Sequence, residues 1–194
     1  MASLHGPGVR ASHLKDDLWA LDELGHAAPR IRARLRPETV AAIEAASRTE
    51  HLPVELNVEL AEAVGAEAGE KGLRLWATSS FLRSLDGFFK PLFLGLTKAL
   101  SPSPGLLFKA FPQGWLTTYR DCGHFVVTHP GEGLTRLVNQ ELPPALRSTA
   151  YLTAVCGTLE SAFWISRYEG HATLEPRDPD SPAASWLVAW RPSR

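Results

Sequence analysis

The sequence predicts an α+β fold in which several helices pack on a small antiparallel sheet, with a helix and then a β-hairpin at the C-terminus. Apolar residues recur at helical spacing through most of residues 12–118. After that point the pattern changes to short β-prone runs bounded by Gly and Pro. We therefore expect a flexible tail at 1–11 and a single domain at 12–194. Its first part, 12–118, is mainly helical, and 119–194 forms a strand-strand-helix-strand-strand module.

The helical part is divided by Pro and Gly. Ser12 is the predicted cap of the first helix, and a helix is predicted over 37–48, which Pro37 opens. A further helix begins after Leu52-Pro53 and ends near Gly65 or Gly69.

Residues 73–100 keep the helical pattern but are apolar on nearly all sides, which is typical of a buried core helix. Gly87 and Pro91 predict that this helix is kinked or broken. After a Pro- and Ser-rich loop, another apolar helix is predicted over about 104–118.

The C-terminal module begins with two candidate strands, 125–128 and 134–138, which form a plausible hairpin. A helix over 145–167 follows, and two strands at 170–175 and 185–191 close the chain. The predicted buried face of that helix consists of Tyr151, Leu152, Val155, Cys156, Leu159, Phe163 and Trp164.

Composition is that of an ordinary globular protein, with 44% hydrophobic and 21% charged residues. A formal net charge of −1 gives no bulk attraction to nucleic acid or anionic lipid. The two cysteines cannot form a disulfide framework, the first ten residues do not resemble a signal peptide, and no apolar run is long enough to span a bilayer. The expected location is the cytoplasm.

Charge is distributed unevenly along the helical part. Arg30, Arg32, Arg34 and Arg36 form a basic cluster, and the next stretch is rich in glutamate. The cluster is interpreted either as a solvated helix face or as a patch that docks a partner.

No phosphate-binding loop, dinucleotide fingerprint or common hydrolase or zinc motif occurs. The nearest metal pattern is Cys122-x-His124-x4-His129, which lacks a fourth ligand nearby. Cys122 and His124 could also act as a thiolate and its base. The third interpretation is that these are polar residues at a strand edge. No metal site and no catalytic residue are predicted, and the sequence leans away from an enzyme.

Aromatic residues are concentrated between residues 81 and 115, around two interrupted helices. They either form the core or line an apolar slot that holds a ligand, since ligand pockets are lined mainly by apolar and aromatic groups. The residues predicted to line such a site are Phe88, Phe93, Phe108, Phe111 and Trp115.

The C-terminal half carries a family resemblance. It contains Gly114-Trp115-Leu116-x-x-Tyr119, a hairpin, a helix that includes Tyr151-Leu152-x-x-Val155-Cys156-Gly157-x-Leu159, and the segment Glu169–Glu175. This order resembles the 4-vinyl-reductase-type small-molecule-binding domain, whose relatives include TRAPP trafficking subunits and haem-NO-binding domains. The resemblance implies helices on an antiparallel sheet and, in some members, an apolar ligand channel. From about Leu35 onward the chain also resembles an uncharacterised myxobacterial paralogous family of about 190 residues.

The chain departs from these families at positions that carry their cofactors. The last hairpin contains no cysteine, so a metal or thiol role there is not implied. Where haem-NO-binding proteins have a histidine in the central helix, Leu85-Asp86-Gly87-Phe88-Phe89 offers phenylalanine, and no Tyr-x-Ser-x-Arg motif occurs. The prediction is therefore no cofactor, and haem is not expected.

Three functional hypotheses follow. The first is a non-enzymatic cytoplasmic sensor or adaptor in signalling, which binds a small apolar ligand between its central helices. The second is a protein–protein interaction module that acts as a homodimer without a ligand. The third is an enzyme that depends on Cys122 and His124. In each case no nucleic acid partner is expected.

Overall fold

The computed structural model describes residues 6–85, 103–166 and 168–193, and the fold is given for these ranges. Helices pack against antiparallel sheets, and the chain closes with a strand hairpin, so the predicted α+β class is confirmed. Among these residues, no helix combines the length and apolarity that crossing a membrane requires.

The first part of the chain is mainly helical, as predicted, but it also contains two short strands. Strand β1 lies within the segment 1–11 that the sequence assigns to a flexible tail, and Val9 in it is fully buried. A three-residue strand carries too short a pattern to be recognised from sequence. The elements in order are β1 (Gly8–Arg10), α1 (Ala11–Ala20), a 3-10 segment (Leu21–Ala27), α2 (Ala28–Arg34), α3 (Pro37–Ala45) and β2 (His51–Pro53).

Helix α4 (Glu55–Ser84) is the longest described element and is interrupted at Gly69. The sequence predicts that a helix ends near this glycine. Gly69 adopts a φ of 64°, which glycine tolerates because it has no Cβ, so the first helical segment does end there and a second segment follows directly. Leu73 and Trp76 beyond the kink are buried, so tertiary packing favours the continuation.

From residue 119 onward the chain forms three strands, a helix and two strands, whereas the sequence predicts two strands before the helix. Helix α5 (Pro104–Thr118) leads into the C-terminal module with the bounds expected from sequence. The remaining elements are β3 (Tyr119–Arg120), β4 (His124–Gly131), β5 (Leu134–Gln140), a 3-10 turn (Pro144–Arg147), α6 (Thr149–Ile165), β6 (Tyr168–Leu174) and β7 (Ala184–Pro192). Strands β4, β5, β7 and β6 form one antiparallel sheet in that order, and β2, β1 and β3 form a second.

Helices α4 and α6 cross at very short distance. A Cβ atom added to Gly157 would lie 2.3 Å from the backbone oxygen of Arg74, so only glycine allows this approach. The Thr78 hydroxyl donates to the Gly157 carbonyl oxygen at 2.8 Å and fixes the crossing point. This crossing places α6 against α4, and α6 also packs on β6 of the sheet.

One continuous apolar core joins the two parts of the chain. Trp186 on β7 is 1% exposed, and its indole N–H donates to the backbone oxygen of Leu152 at 3.0 Å. The sheet is thereby tied to α6 by a buried hydrogen bond, which avoids the cost of an unpaired buried donor.

The basic cluster of α2 is paired with α4. Arg30 and Arg34 both contact Glu67, with 2.8 Å between Arg30 Nε and Glu67 Oε2. The Arg36 guanidinium lies 2.6 Å from Glu59 Oε2. The positive charge of these three arginines is therefore largely compensated within the chain, which favours the solvated-face interpretation over a docking patch.

Candidate ligand-binding cavity

A cavity of about 610 Å³ lies between α1, the C-terminal half of α4, α5 and α6. Its volume is within the usual range for small-molecule and cofactor sites. The lining is mainly apolar and includes Trp76, Ala77, Phe81, Leu85, Leu107, Phe108, Phe111, Trp115, Ala154, Val155, Leu159, Ala162 and Ile165. Three of these helices belong to the first part of the chain and α6 belongs to the C-terminal module, so the cavity forms only when the whole fold is assembled.

Aromatic contacts hold the α5 wall of the cavity in place. Trp115 stacks on Tyr119 with 3.9 Å between ring centroids, and Phe111 meets Phe125 edge to face at 4.9 Å. Phe108 lies against Phe163 at 6.5 Å. Edge-to-face and stacked pairs are the arrangements that aromatic rings prefer, so these contacts stabilise the observed ring orientations.

Three of the five residues predicted to line a ligand site lie on this wall, namely Phe108, Phe111 and Trp115. The other two, Phe88 and Phe93, lie outside the described residues. Sequence reasoning did not include the α1 and α6 walls, because periodicity shows that a helix face is buried but not which faces share one cavity. Their role in binding stays a prediction.

A buried polar network closes one side of the cavity around Asp17, which is 2% exposed. Asn57 Nδ2 donates to Asp17 Oδ2 at 2.8 Å, and the Ser80 hydroxyl donates to Asp17 Oδ1 at 2.5 Å. Burial raises the pKa of Asp17, against the opposing effects of His13 and Ser80. The side chain is thus a buried carboxyl with well-placed donors.

Two tyrosines and a histidine extend this network into the cavity. The Tyr119 hydroxyl donates to Asn57 Oδ1 at 2.9 Å and lies 3.3 Å from His13 Nε2. His13 Nε2 is also 3.7 Å from Asp17 Oδ2. The Tyr151 hydroxyl is buried toward Tyr119, but no described group meets hydrogen-bond geometry with it. Burial raises the pKa of both phenols, which therefore stay protonated.

Charged residues from the start of α1 and from residue 48 lie at another edge of the cavity. Asp16 Oδ1 is 3.6 Å from an Arg48 guanidinium nitrogen and 3.5 Å from Arg83 Nε. The Arg83 guanidinium also covers the Trp19 ring at 4.0 Å. The Nε atom of Arg10 is buried, and no described group accepts a hydrogen bond from it.

The geometry disfavours the thiolate hypothesis for Cys122. Its side chain is 1% exposed, and burial raises the pKa of the thiol to about 12. His124 lies 3.7 Å from Glu141, at the surface. Across the described ranges, no group of three His, Cys, Asp or Glu residues could hold a metal ion.

No protein-family model matches the chain, and no curated protein matches its sequence. Solved structures do match. The Fe(II) unliganded H-NOX protein from K. algicida aligns with a TM-score of 0.62 at 12% identity, over 94% of this chain and 96% of that one. The chain has the H-NOX fold. An oxygen-binding H-NOX domain related to soluble guanylate cyclases aligns with a TM-score of 0.62 at 8% identity, over 95% of each chain.

The H-NOX fold corrects one prediction and supports another. One similar structure is described as an oxygen-binding H-NOX domain, and another, with a TM-score of 0.63, 8% identity and 95% of each chain covered, concerns haem redox potential and porphyrin distortion. The prediction that the chain takes no cofactor and that haem is not expected is therefore wrong. It rested on the phenylalanines of the central helix and on the missing Tyr-x-Ser-x-Arg motif, and it took no account of α1. The haem-NO-binding part of the resemblance is confirmed for the fold, whereas the 4-vinyl-reductase, TRAPP and myxobacterial parts stay predictions.

The residues of the cavity fit a haem group. The lining offers broad apolar and aromatic surface, which a porphyrin ring needs on both faces. His13 is the one histidine in the described lining, and it has a carboxylate behind it in Asp17. Histidine ligands of metals usually have such a partner for the second ring nitrogen. The Tyr151 hydroxyl interacts with the Tyr119 hydroxyl, but among the described residues no group meets full hydrogen-bond geometry with it, so it could donate to a bound group.

Proposed function

We propose that this chain is a non-enzymatic sensor domain that holds haem, or a planar apolar molecule of similar size, in the cavity between α1, α4, α5 and α6. The observation that carries the proposal is that cavity, with a single lining histidine, in a chain with the H-NOX fold. Bound haem would supply an iron centre that takes up a diatomic gas.

Five lining residues would take part in binding, with different roles. His13 would provide the imidazole nitrogen, and Asp17 would orient its ring from 3.7 Å away. Phe111 and Trp115 would pack on the ring system and exclude water. The Tyr151 hydroxyl would donate a hydrogen bond to a polar atom inside the cavity.

Titration of the purified protein with hemin tests this proposal. We expect saturable one-to-one binding with a shifted Soret band. His13→Ala should change the position of that band and weaken binding, whereas His124→Ala should behave like the wild type because His124 lies outside the cavity lining. Absence of saturable binding would contradict the proposed function. Identical spectra for His13→Ala and the wild type would show that His13 is not the ligand.

The alternative function is a homodimeric interaction module that needs no ligand. Several large apolar side chains are exposed, among them Trp164 at 73% and Leu116 at 57%, and such groups are enriched at protein interfaces. Native mass spectrometry separates the two functions. Retained ligand on a monomer supports the sensor, and a ligand-free dimer supports the interaction module. The cytoplasmic location is part of either proposal.

A further inference from the structure

Charge is not balanced at the edge of the cavity formed by β1 and the start of α1. Both carboxylates of the lining already have partners: Asp17 accepts from Asn57 and Ser80, and Asp16 is shared by Arg48 and Arg83. The Ser84 hydroxyl also donates to Asp16, at 2.9 Å. Neither carboxylate is therefore available to compensate a further cation.

Arg10 is that further cation. It lies on β1, the central strand of the three-stranded sheet, and lines the cavity. Its Nε atom is buried without an acceptor, and no carboxylate among the described residues pairs with its guanidinium. A guanidinium is always charged at neutral pH, and a buried charged donor without an acceptor is costly.

The surroundings of Arg10 are positive rather than neutral. The pKa of His51, which pairs with Arg10 across β1 and β2, is lowered by burial, by Arg120 and by Arg10. Arg48 lines the same edge of the cavity. An anion placed here would therefore meet several cations, and a planar fork such as Arg10 suits a carboxylate in particular.

We propose that the cavity selects ligands that carry a carboxylate, and that the Arg10 guanidinium binds this carboxylate. This inference rests on the proposed function in its choice of cavity. It adds that the ligand is amphipathic, with its apolar body against α5 and α6 and its acidic end against Arg10. Arg48 also lines the cavity, and its backbone oxygen accepts from the Ser12 N–H at 3.1 Å, at the start of α1.

The test compares each acid with its ester. Hemin and hemin dimethyl ester differ only in the two carboxylates, so their dissociation constants isolate the contribution of the charge. We expect the wild type to bind hemin at least about tenfold more tightly than the ester, as expected when a charged hydrogen bond is lost. Equal affinity for acid and ester in the wild type would overturn the inference, and this outcome needs no variant.

Variants then assign the effect to Arg10. Arg10→Gln should abolish the preference for the acid, so that acid and ester bind with similar affinity, and Arg10→Lys should restore part of the preference. Arg191→Gln, at an exposed site on β7 away from the cavity, is the matched control and should keep the wild-type preference. A preference that survives in folded Arg10→Gln would overturn the role of Arg10.

The same comparison with a fluorescent polyene fatty acid and its methyl ester separates this inference from the haem proposal. If neither form of hemin binds but the fatty acid binds more tightly than its ester, the proposed cofactor is wrong and the carboxylate site stands. If hemin and its ester bind equally, the cavity is right and the carboxylate site is wrong.

Discussion

At the scale of single residues, the most informative feature is the carboxyl of Asp17. It is buried in a wall of the cavity, yet its carboxylate accepts hydrogen bonds from Asn57 and Ser80, and the Trp76 indole donates to its backbone oxygen at 2.8 Å. A buried carboxylate costs free energy unless donors and charges compensate it. The fold therefore keeps a buried polar network next to His13 despite the free-energy cost of burying it.

The raised pKa of Asp17 predicts a definite pH dependence of stability. Because burial raises this pKa above its ordinary value of 3.8, the folded state holds the proton more tightly than the unfolded state does. The unfolding free energy should therefore decrease as pH rises from below 3.8 through the raised value, where the buried group ionises. His13 and Asp16 also face this carboxyl and modulate the effect in opposite directions.

Asp17→Asn removes that titration and keeps the shape of the side chain. We expect the difference in unfolding free energy, variant minus wild type, to become more positive as pH rises through this window. Urea denaturation at a series of pH values measures it, and Asp22→Asn at an exposed position is the control. A difference that stays constant with pH would show that Asp17 does not titrate between the folded and unfolded states.

At the scale of secondary-structure elements, the crossing of α4 and α6 determines how the helices meet the sheet. Gly157→Ala would bring a methyl group to 2.3 Å from the Arg74 backbone oxygen, and backbone cannot move aside as a flexible side chain can. We expect a loss of about 1–3 kcal/mol in unfolding free energy, the usual cost of overpacking. Chemical denaturation measures this loss.

Gly114→Ala is the matched control for that substitution. Gly114 lies within α5, and a Cβ there would meet nothing within 4 Å. Alanine is the better helix former, so the control should be neutral or more stable by about 0.5–1 kcal/mol. Equal losses in the two variants would argue against a close α4–α6 crossing.

The sequence predicts those elements whose pattern is long and local. Helix α5 has the predicted bounds, and both hairpins lie where alternating apolar residues and turn residues place them. It does not predict β1, β2 and β3, which are two or three residues long. β1 pairs with partners more than 40 and more than 100 residues away, as Val9 with Leu52 and with Tyr119 shows. Such strands are defined by their partners and carry no period of their own.

The candidate site was predictable only in part for a related reason. The aromatic residues Phe108, Phe111 and Trp115 are visible in the sequence as an apolar cluster. His13 and Arg10 carry no motif, because their significance depends on β1 and α1 being brought against α5 and α6. The two chemically most distinctive groups of the cavity therefore come from a region that the sequence predicts to be a tail and a short helix.

At the scale of the whole molecule, the cavity is an interruption in an otherwise continuous core. Walls from both parts of the chain enclose it, while equally buried positions a few turns away are tightly packed. Protein interiors are generally close-packed, and empty space of this size reduces stability. Retention of the cavity is therefore most simply explained by a ligand that fills it.

Substitutions at two buried valines test whether the cavity has room for an aromatic ring. Val155 on α6 is 6% exposed and lines the cavity, whereas Val64 on α4 is fully buried and does not. Val64→Phe should overpack the core and cost about 1–3 kcal/mol of unfolding free energy. Val155→Phe should cost much less unfolding free energy, because the ring can enter the cavity, but it should reduce the affinity for hemin or for the fluorescent fatty acid.

Urea denaturation and ligand titration on the same two variants measure both effects. If Val155→Phe is as destabilising as Val64→Phe, the space beside α6 is too small for a ring, and a cofactor of haem size could not be held there.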